Sequence, residues 1–159
     1  MIDIRPAALA VLTVAALSGC GLTELITYGC SDRDREFAGT LAGLPVLAAH
    51  PDGATEVGAG SGCDDDDGFA HAGRNYRSDL DRAAIQDFYR AAAEKDGWAA
   101  GGERTDAATS CFTREIDGTT AYLSIWYPSD FNDTPGLGDA PEDEYGLNVT
   151  ASHDGDAWC

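Results

Sequence analysis

The side chains that could do chemistry fall into three groups: a run of acids, three histidines and five cysteines. Cys63-Asp64-Asp65-Asp66-Asp67-Gly68 crowds four carboxylates in front of a glycine. That resembles the start of a calcium loop, because the cation takes oxygen ligands at alternate positions around a glycine-based turn. Placing Gly68 at the sixth position puts Cys63 first and Arg74 twelfth, so the first ligand and the closing carboxylate are both missing. The run therefore reads as a solvated acidic loop. The alternative is a looser calcium site in which Asp64, Asp65, Asp66 and Asp67 recruit Asp130, Asp133, Glu142 or Asp143 from a late acidic loop. His50, His71 and His153 form no ligand-spaced motif with the cysteines, and no Cys-x-x-Cys occurs, which argues against zinc. Gly-x-Ser-x-Gly, Ser-x-x-Lys, His-Glu-x-x-His and P-loop motifs are also missing, so a base, a nucleophile and an oxyanion-stabilising group do not come as a set. An enzyme is not expected, and no cofactor is implied.

What the cysteines do depends on where the chain resides, and the N-terminus bears on that. Residues 6–17 are a twelve-residue apolar run behind a short head containing Arg5, the length of a signal-peptide core and short of the roughly 18 residues that span a bilayer. Leu17-Ser18-Gly19-Cys20 follows directly and resembles the lipobox of bacterial lipoproteins, in which small residues admit the chain to a peptidase and the thiol takes a diacylglycerol. On this reading residues 1–19 are a lipoprotein signal peptide, Cys20 is the lipidation site, 20–29 form a tether and 30–159 one domain. Two acyl chains anchor a protein stably where one is marginal. Cys30, Cys63, Cys111 and Cys159 then remain, an even number in an exported chain, which reads as two disulfides with three connectivities open.

The whole chain agrees with one small domain: 159 residues, 43% of them apolar. Its 28 acidic against 10 basic residues leave a net charge of -18, which repels phosphate backbones and anionic headgroups and excludes nucleic acid as a partner.

The elements that must position these groups are legible to different degrees. Residues 31–43 place Phe37, Leu41 and Leu44 on one side of a short helix stopped by Pro45. Residues 55–57 read as a short extended piece, 58–62 as a Gly/Ser loop and 72–78 as a strand. The strongest pattern is a helix over 81–96, with Asp81 as N-cap, Leu80 and Ile85 as an apolar staple, and Gly97 as the left-handed residue that ends it. Asp117-Gly118 predicts a two-residue hairpin turn pairing Ile116 with Thr119, Arg114 with Ala121 and Phe112 with Leu123. Phe112, Ile116, Leu123 and Ile125 then face the helix, whereas Cys111, Thr113, Tyr122, Ser124 and Trp126 face away. A last strand over 145–151 follows a Pro, Gly and acid-rich loop. The sum is an α+β domain, one antiparallel sheet of about four strands with the main helix, 81–96, on one face. Tyr122 and Trp126 are either covered by the N-terminal segment or form an exposed aromatic patch for a protein or glycan. If the strands flanking the main helix run the same way, Cys63 pairs with Cys111 and Cys30 with Cys159.

Cys20 in its lipobox, Ser61-Gly62-Cys63-Asp64-Asp65-Asp66 leading to Tyr76, Phe88-Tyr89 in the helix and Gly97-Trp98 at its end resemble the small, functionally uncharacterised lipoproteins of high-GC Gram-positive (actinobacterial) type. The resemblance implies a location and a fold and carries over no catalytic residue. The expectation is a lipid-anchored binding or accessory module, non-enzymatic, on the extracytoplasmic face of the cell membrane. Its partners are then the membrane, through the lipid anchor, and an unidentified protein or glycan. A calcium-dependent structural module of the envelope is second and a hydrolase third.

Overall fold

A computed structural model describes residues 29–101, 110–134, 139–153, 157 and 159. The expected signal peptide, Cys20, all of the expected tether except Gly29, and Trp158 lie outside the described residues. One antiparallel sheet carries six strands, β1 (Thr55–Asp64), β2 (Phe69–Arg77), β3 (Ala99–Ala100), β4 (Cys111–Ile116), β5 (Thr119–Trp126) and β6 (Glu144–Ala151), in the order β1-β2-β6-β5-β4-β3. Helices α1 (Asp32–Ala42), α2 (Pro45–Ala48) and α3 (Arg82–Lys95) contribute to a single core on one side of it. The class is the expected α+β, but the sheet has six strands rather than about four. Residues 58–62, expected as a loop, are the middle of β1, paired with β2 from Thr55 to Asp64 apart from one irregularity between Glu56 and Gly58. Glycine is a loop signal on a free chain, yet a ladder uses backbone groups only, and an edge strand tolerates residues with nothing to pack.

Local sequence explains the elements around the sheet. Ser31 and Asp34 form a reciprocal capping box at the start of α1. Burial pushes the Asp34 carboxyl up, but the hydrogen bonds from Ser31 outweigh it and hold the group below its ordinary value. At α3 the Asp81 side chain accepts from the Ala84 N–H at 2.8 Å. Leu80 stays 43% exposed, so the staple expected there buries only Ile85. The other end is a Schellman motif: Trp98 N–H donates to the Ala93 carbonyl at 2.9 Å, Gly97 N–H donates to Glu94 at 3.1 Å, and Gly97 has φ +83°. Asp96 then collects the Trp98 indole N–H and the Arg114 guanidinium, tying the helix end to β4. The hairpin has the expected register, with Asp117 and Gly118 at φ 49° and 80°.

Residues 145, 147, 149 and 151 of the central strand β6 are buried beneath the helices, as are 121, 123 and 125 of β5. Four buried tyrosines staple the layers. Tyr76 donates to the Leu47 carbonyl at 2.6 Å and Tyr89 to Ala49 at 2.8 Å, which holds the short α2 segment between sheet and α3. The Tyr145 hydroxyl lies 3.2 Å from that of Tyr89, and Tyr127 donates to the Arg82 carbonyl. Burial pushes all four phenols above the ordinary range, Tyr89 furthest.

The disulfides are Cys30–Cys63 and Cys111–Cys159, not the pairing expected. The expected geometry had the strand before the main helix and the strand carrying Cys111 running the same way, with Cys63 and Cys111 at one end of the sheet. The strand that leaves α3 is β3, at the far edge, and β4 turns back against it. Cys63 ends the edge strand β1, and four inter-strand steps separate it from β4, about 19 Å at about 4.8 Å each. Through the pairs Cys63–Ala70–Ala151–Ala121–Arg114, the position on β4 level with Cys63 is Arg114, three residues from Cys111. No disulfide spans that gap.

Candidate functional site

The alternation of strand side chains puts one set of residues on the face without helices: Gly58, Gly60 and Gly62 on β1, His71, Gly73 and Asn75 on β2, Gly146 and Asn148 on β6, and Tyr122, Ser124 and Trp126 on β5. Register lines the glycines up across strands. Gly58 pairs with Asn75 and Asn75 with Gly146, while Gly60 pairs with Gly73 and Gly73 with Asn148. With no side chains over this patch the sheet carries a depression of about 700 Å³, within the range of ligand pockets.

Its walls are set by close approach to the glycine floor. The Trp126 indole lies directly over Gly146: a β-carbon there would stand 2.2 Å from the indole nitrogen and 2.7 Å from the Asn75 side-chain oxygen. The His71 ring lies over Gly62 in the same way, with its Cε1 3.4 Å from such a position, and Asn148 leans over Gly73. His71 and Phe69 meet edge to face at 6.2 Å.

The chemistry of this lining is unlike the rest of the surface. Among the described residues, no Asp, Glu, Lys or Arg lines the depression, although the chain has 38 such residues (28 acidic plus 10 basic). Among the described residues, the side chains of His71, Asn75, Ser124, Trp126 and Asn148 have no hydrogen-bond partner, and all five are partly exposed. Together they offer carboxamide, hydroxyl, imidazole and indole groups, a set of hydrogen-bond donors and acceptors. No acid or hydroxyl is hydrogen-bonded to His71 among the described residues, so nothing there orients it as a base.

Of the two aromatic residues expected on this face, Trp126 lines the depression and Tyr122 does not. Tyr122 is four residues back along β5, about 13 Å away, in register with Thr113 and Thr150. The face is covered in part: Thr150 is buried, and the Cys111–Cys159 bridge holds the last residue at the start of β4. The opening lies over β1, β2, β6 and the Ser124–Trp126 end of β5. Sequence reasoning missed Asn75, Asn148 and the glycine floor. The available signal was the period-two spacing of Gly58, Gly60 and Gly62, which marks one face of a strand rather than a loop.

The acidic run has a structural use. Asp65 to Gly68 form the β1–β2 turn, where the Asp64 carboxylate accepts from Asp66 and Asp67 N–H. Asp65 accepts from Cys30 N–H at 2.9 Å and so fixes the segment entering α1 beside its disulfide. Asp130 pairs with Arg82 and Asp143 with Arg77, and Arg77 closes the opposite end of β2. Eight residue steps, about 26 Å, separate that end from Phe69 beside the acidic turn, so the two acidic loops cannot share one calcium ion. Among the described residues no group of three or more His, Cys, Asp or Glu is spaced to hold a metal. A second, mainly apolar cleft of about 470 Å³ runs between α2 and α3 beside Phe88 and Ala92.

No family model, no curated protein and no solved structure matches this chain. Among the described residues no helix is long and apolar enough to cross a membrane.

Proposed function

We propose that this chain is a lipid-anchored, non-enzymatic binding module on the extracytoplasmic face of the cell membrane, and that it takes its ligand on the helix-free face of the sheet. The observation that carries the binding role is the depression itself: five partly exposed polar side chains without hydrogen-bond partners among the described residues, grouped around a glycine floor. A surface kept only for solubility has no use for a hollow whose described lining lacks Asp, Glu, Lys and Arg in a chain of net charge -18. The anchor rests on Leu17-Ser18-Gly19-Cys20 behind its apolar run, and two disulfides suit the oxidising side of a membrane.

The test is the fate of Cys20. In a Gram-positive host the wild-type protein should partition into detergent, carry a diacylglycerol on an N-terminal Cys20, and be open to protease on intact cells. Cys20→Ala should lose acylation and detergent partitioning together. An acylated, cleaved N-terminus in that variant, or a wild-type protein held inside the cell, defeats the anchor.

A further inference from the structure

The geometry points to a neutral carbohydrate chain as the ligand of the depression, with Trp126 as the stacking surface and Asn75 and Asn148 as the hydroxyl-reading groups. This rests on the reading of the helix-free face as a ligand site, and it adds the ligand's chemical class.

Charge is the first argument. Among the described residues, a ligand entering this hollow meets no carboxylate, ammonium or guanidinium in the lining, while the whole chain carries a net charge of -18. An anionic polymer is repelled by that field and finds no arginine or lysine to offset it. A cation finds no carboxylate in the lining to replace its water. An uncharged ligand fits both facts.

The second argument is the pairing of groups. The C–H face of a pyranose ring is apolar and flat, and an indole offers a matching surface with one polar edge. Trp126 occupies the space that a β-carbon at residue 146 would take, so glycine at that position is what lets the indole sit there. The vicinal hydroxyls of a sugar each donate and accept, and a carboxamide does the same with two groups fixed in one plane. Asn75 stands beside Trp126, its side-chain oxygen directed at the same point over Gly146. Asn148 stands one register row further along the glycine floor, which extends the polar wall beyond a single contact. An open depression of about 700 Å³ on the face of the sheet is large enough for more than one sugar ring.

Titration calorimetry of the full chain, disulfides intact, against cellohexaose, chitohexaose, maltohexaose and mannohexaose tests this. Saturable binding to at least one is expected. Trp126→Ala and Asn75→Ala should each weaken it about tenfold or more, the usual loss for a stacked ring or a paired amide. Gly146→Ala should weaken binding comparably by displacing the indole, with near-ultraviolet circular dichroism unchanged outside the Trp126 contribution. Arg90→Ala, on the exposed side of α3, should bind like wild type. Heat with none of the four sugars overturns the carbohydrate assignment and leaves the membrane anchor standing. Binding that survives both Trp126→Ala and Asn75→Ala places the sugar elsewhere and overturns the site. Selective binding of polygalacturonate or of an extended Thr-Val repeat peptide, lost in the same variants, keeps the depression as a site and rejects the neutral-sugar class.

Discussion

Glycine has two separate uses in this chain, and single substitutions tell them apart. At Gly97 the requirement is conformational: φ is +83° and a β-carbon would meet nothing within 4 Å. The cost of Gly97→Val is therefore backbone strain in the left-handed region plus loss of the Schellman geometry, about 1–2 kcal/mol. Thermal unfolding should show a melting temperature several degrees lower with an unchanged folded spectrum; an unshifted midpoint would place the end of α3 elsewhere. At Gly73 the requirement is space, since an added β-carbon would stand 2.8 Å from the Leu147 carbonyl oxygen on the central strand. At Gly146 the added atom would stand 2.2 Å from the Trp126 indole nitrogen and 2.7 Å from the Asn75 side-chain oxygen, so both side chains must move and the Trp126 site is disturbed directly.

At the scale of elements, each disulfide closes a margin of the sheet. Cys30–Cys63 ties the segment before α1 to the end of β1, with Asp65 bonded to the Cys30 N–H, and Cys111–Cys159 ties the C-terminus to the start of β4. Removing Cys111–Cys159 by a double serine substitution should cost about 2–4 kcal/mol, from a sequence separation of 48. Chemical denaturation measures that loss, and non-reducing peptide mapping should recover the Cys30–Cys63 peptide untouched. A Cys63–Cys111 peptide from the wild-type protein would contradict the strand order. The same strand order makes β1 a ten-residue edge strand paired, among the described residues, with β2. Its glycines keep it weakly patterned, and the Arg74–Glu56 ion pair at 2.7 Å fastens it to β2 near one end.

For the whole molecule the buried phenols set an alkaline limit. Tyr76, Tyr89, Tyr127 and Tyr145 all have folded pKa values raised above the ordinary value of 10.0, chiefly by burial. Between the unfolded and folded values the unfolded chain has lost protons that the native state keeps, so stability falls as pH rises there. Below about pH 10 these groups contribute no pH dependence. Unfolding midpoints should be flat in this respect up to about pH 9.5 and drop steeply above about pH 10, with tyrosinate absorbance appearing together with loss of structure. Tyrosinate formation at pH 10 in a chain still folded would show that the phenols are open to water. At the acid end of the charge balance, the self-repulsion of a net charge of -18 is screened by salt, which adds to stability independently of the tyrosines.

Short-range chemistry was readable from the sequence because each signal acts within a few residues. Asp81 caps the residue three ahead, Gly97 ends the helix it follows, and Asp117-Gly118 dictates the register of its own two strands. The α+β class and the inward face of β4, β5 and β6 follow from periodicities that any surrounding structure must respect. Which strands become neighbours is decided by long-range packing. The insertion of β6 between β2 and β5 carries Cys63 and Cys111 to opposite margins, and no local pattern records that choice. The site belongs to the same class of facts. Gly58 and Gly60 read as a loop until β2 pairs with them, and only the stacking of β1, β2, β6 and β5 in register brings His71, Asn75, Asn148 and Trp126 around one floor.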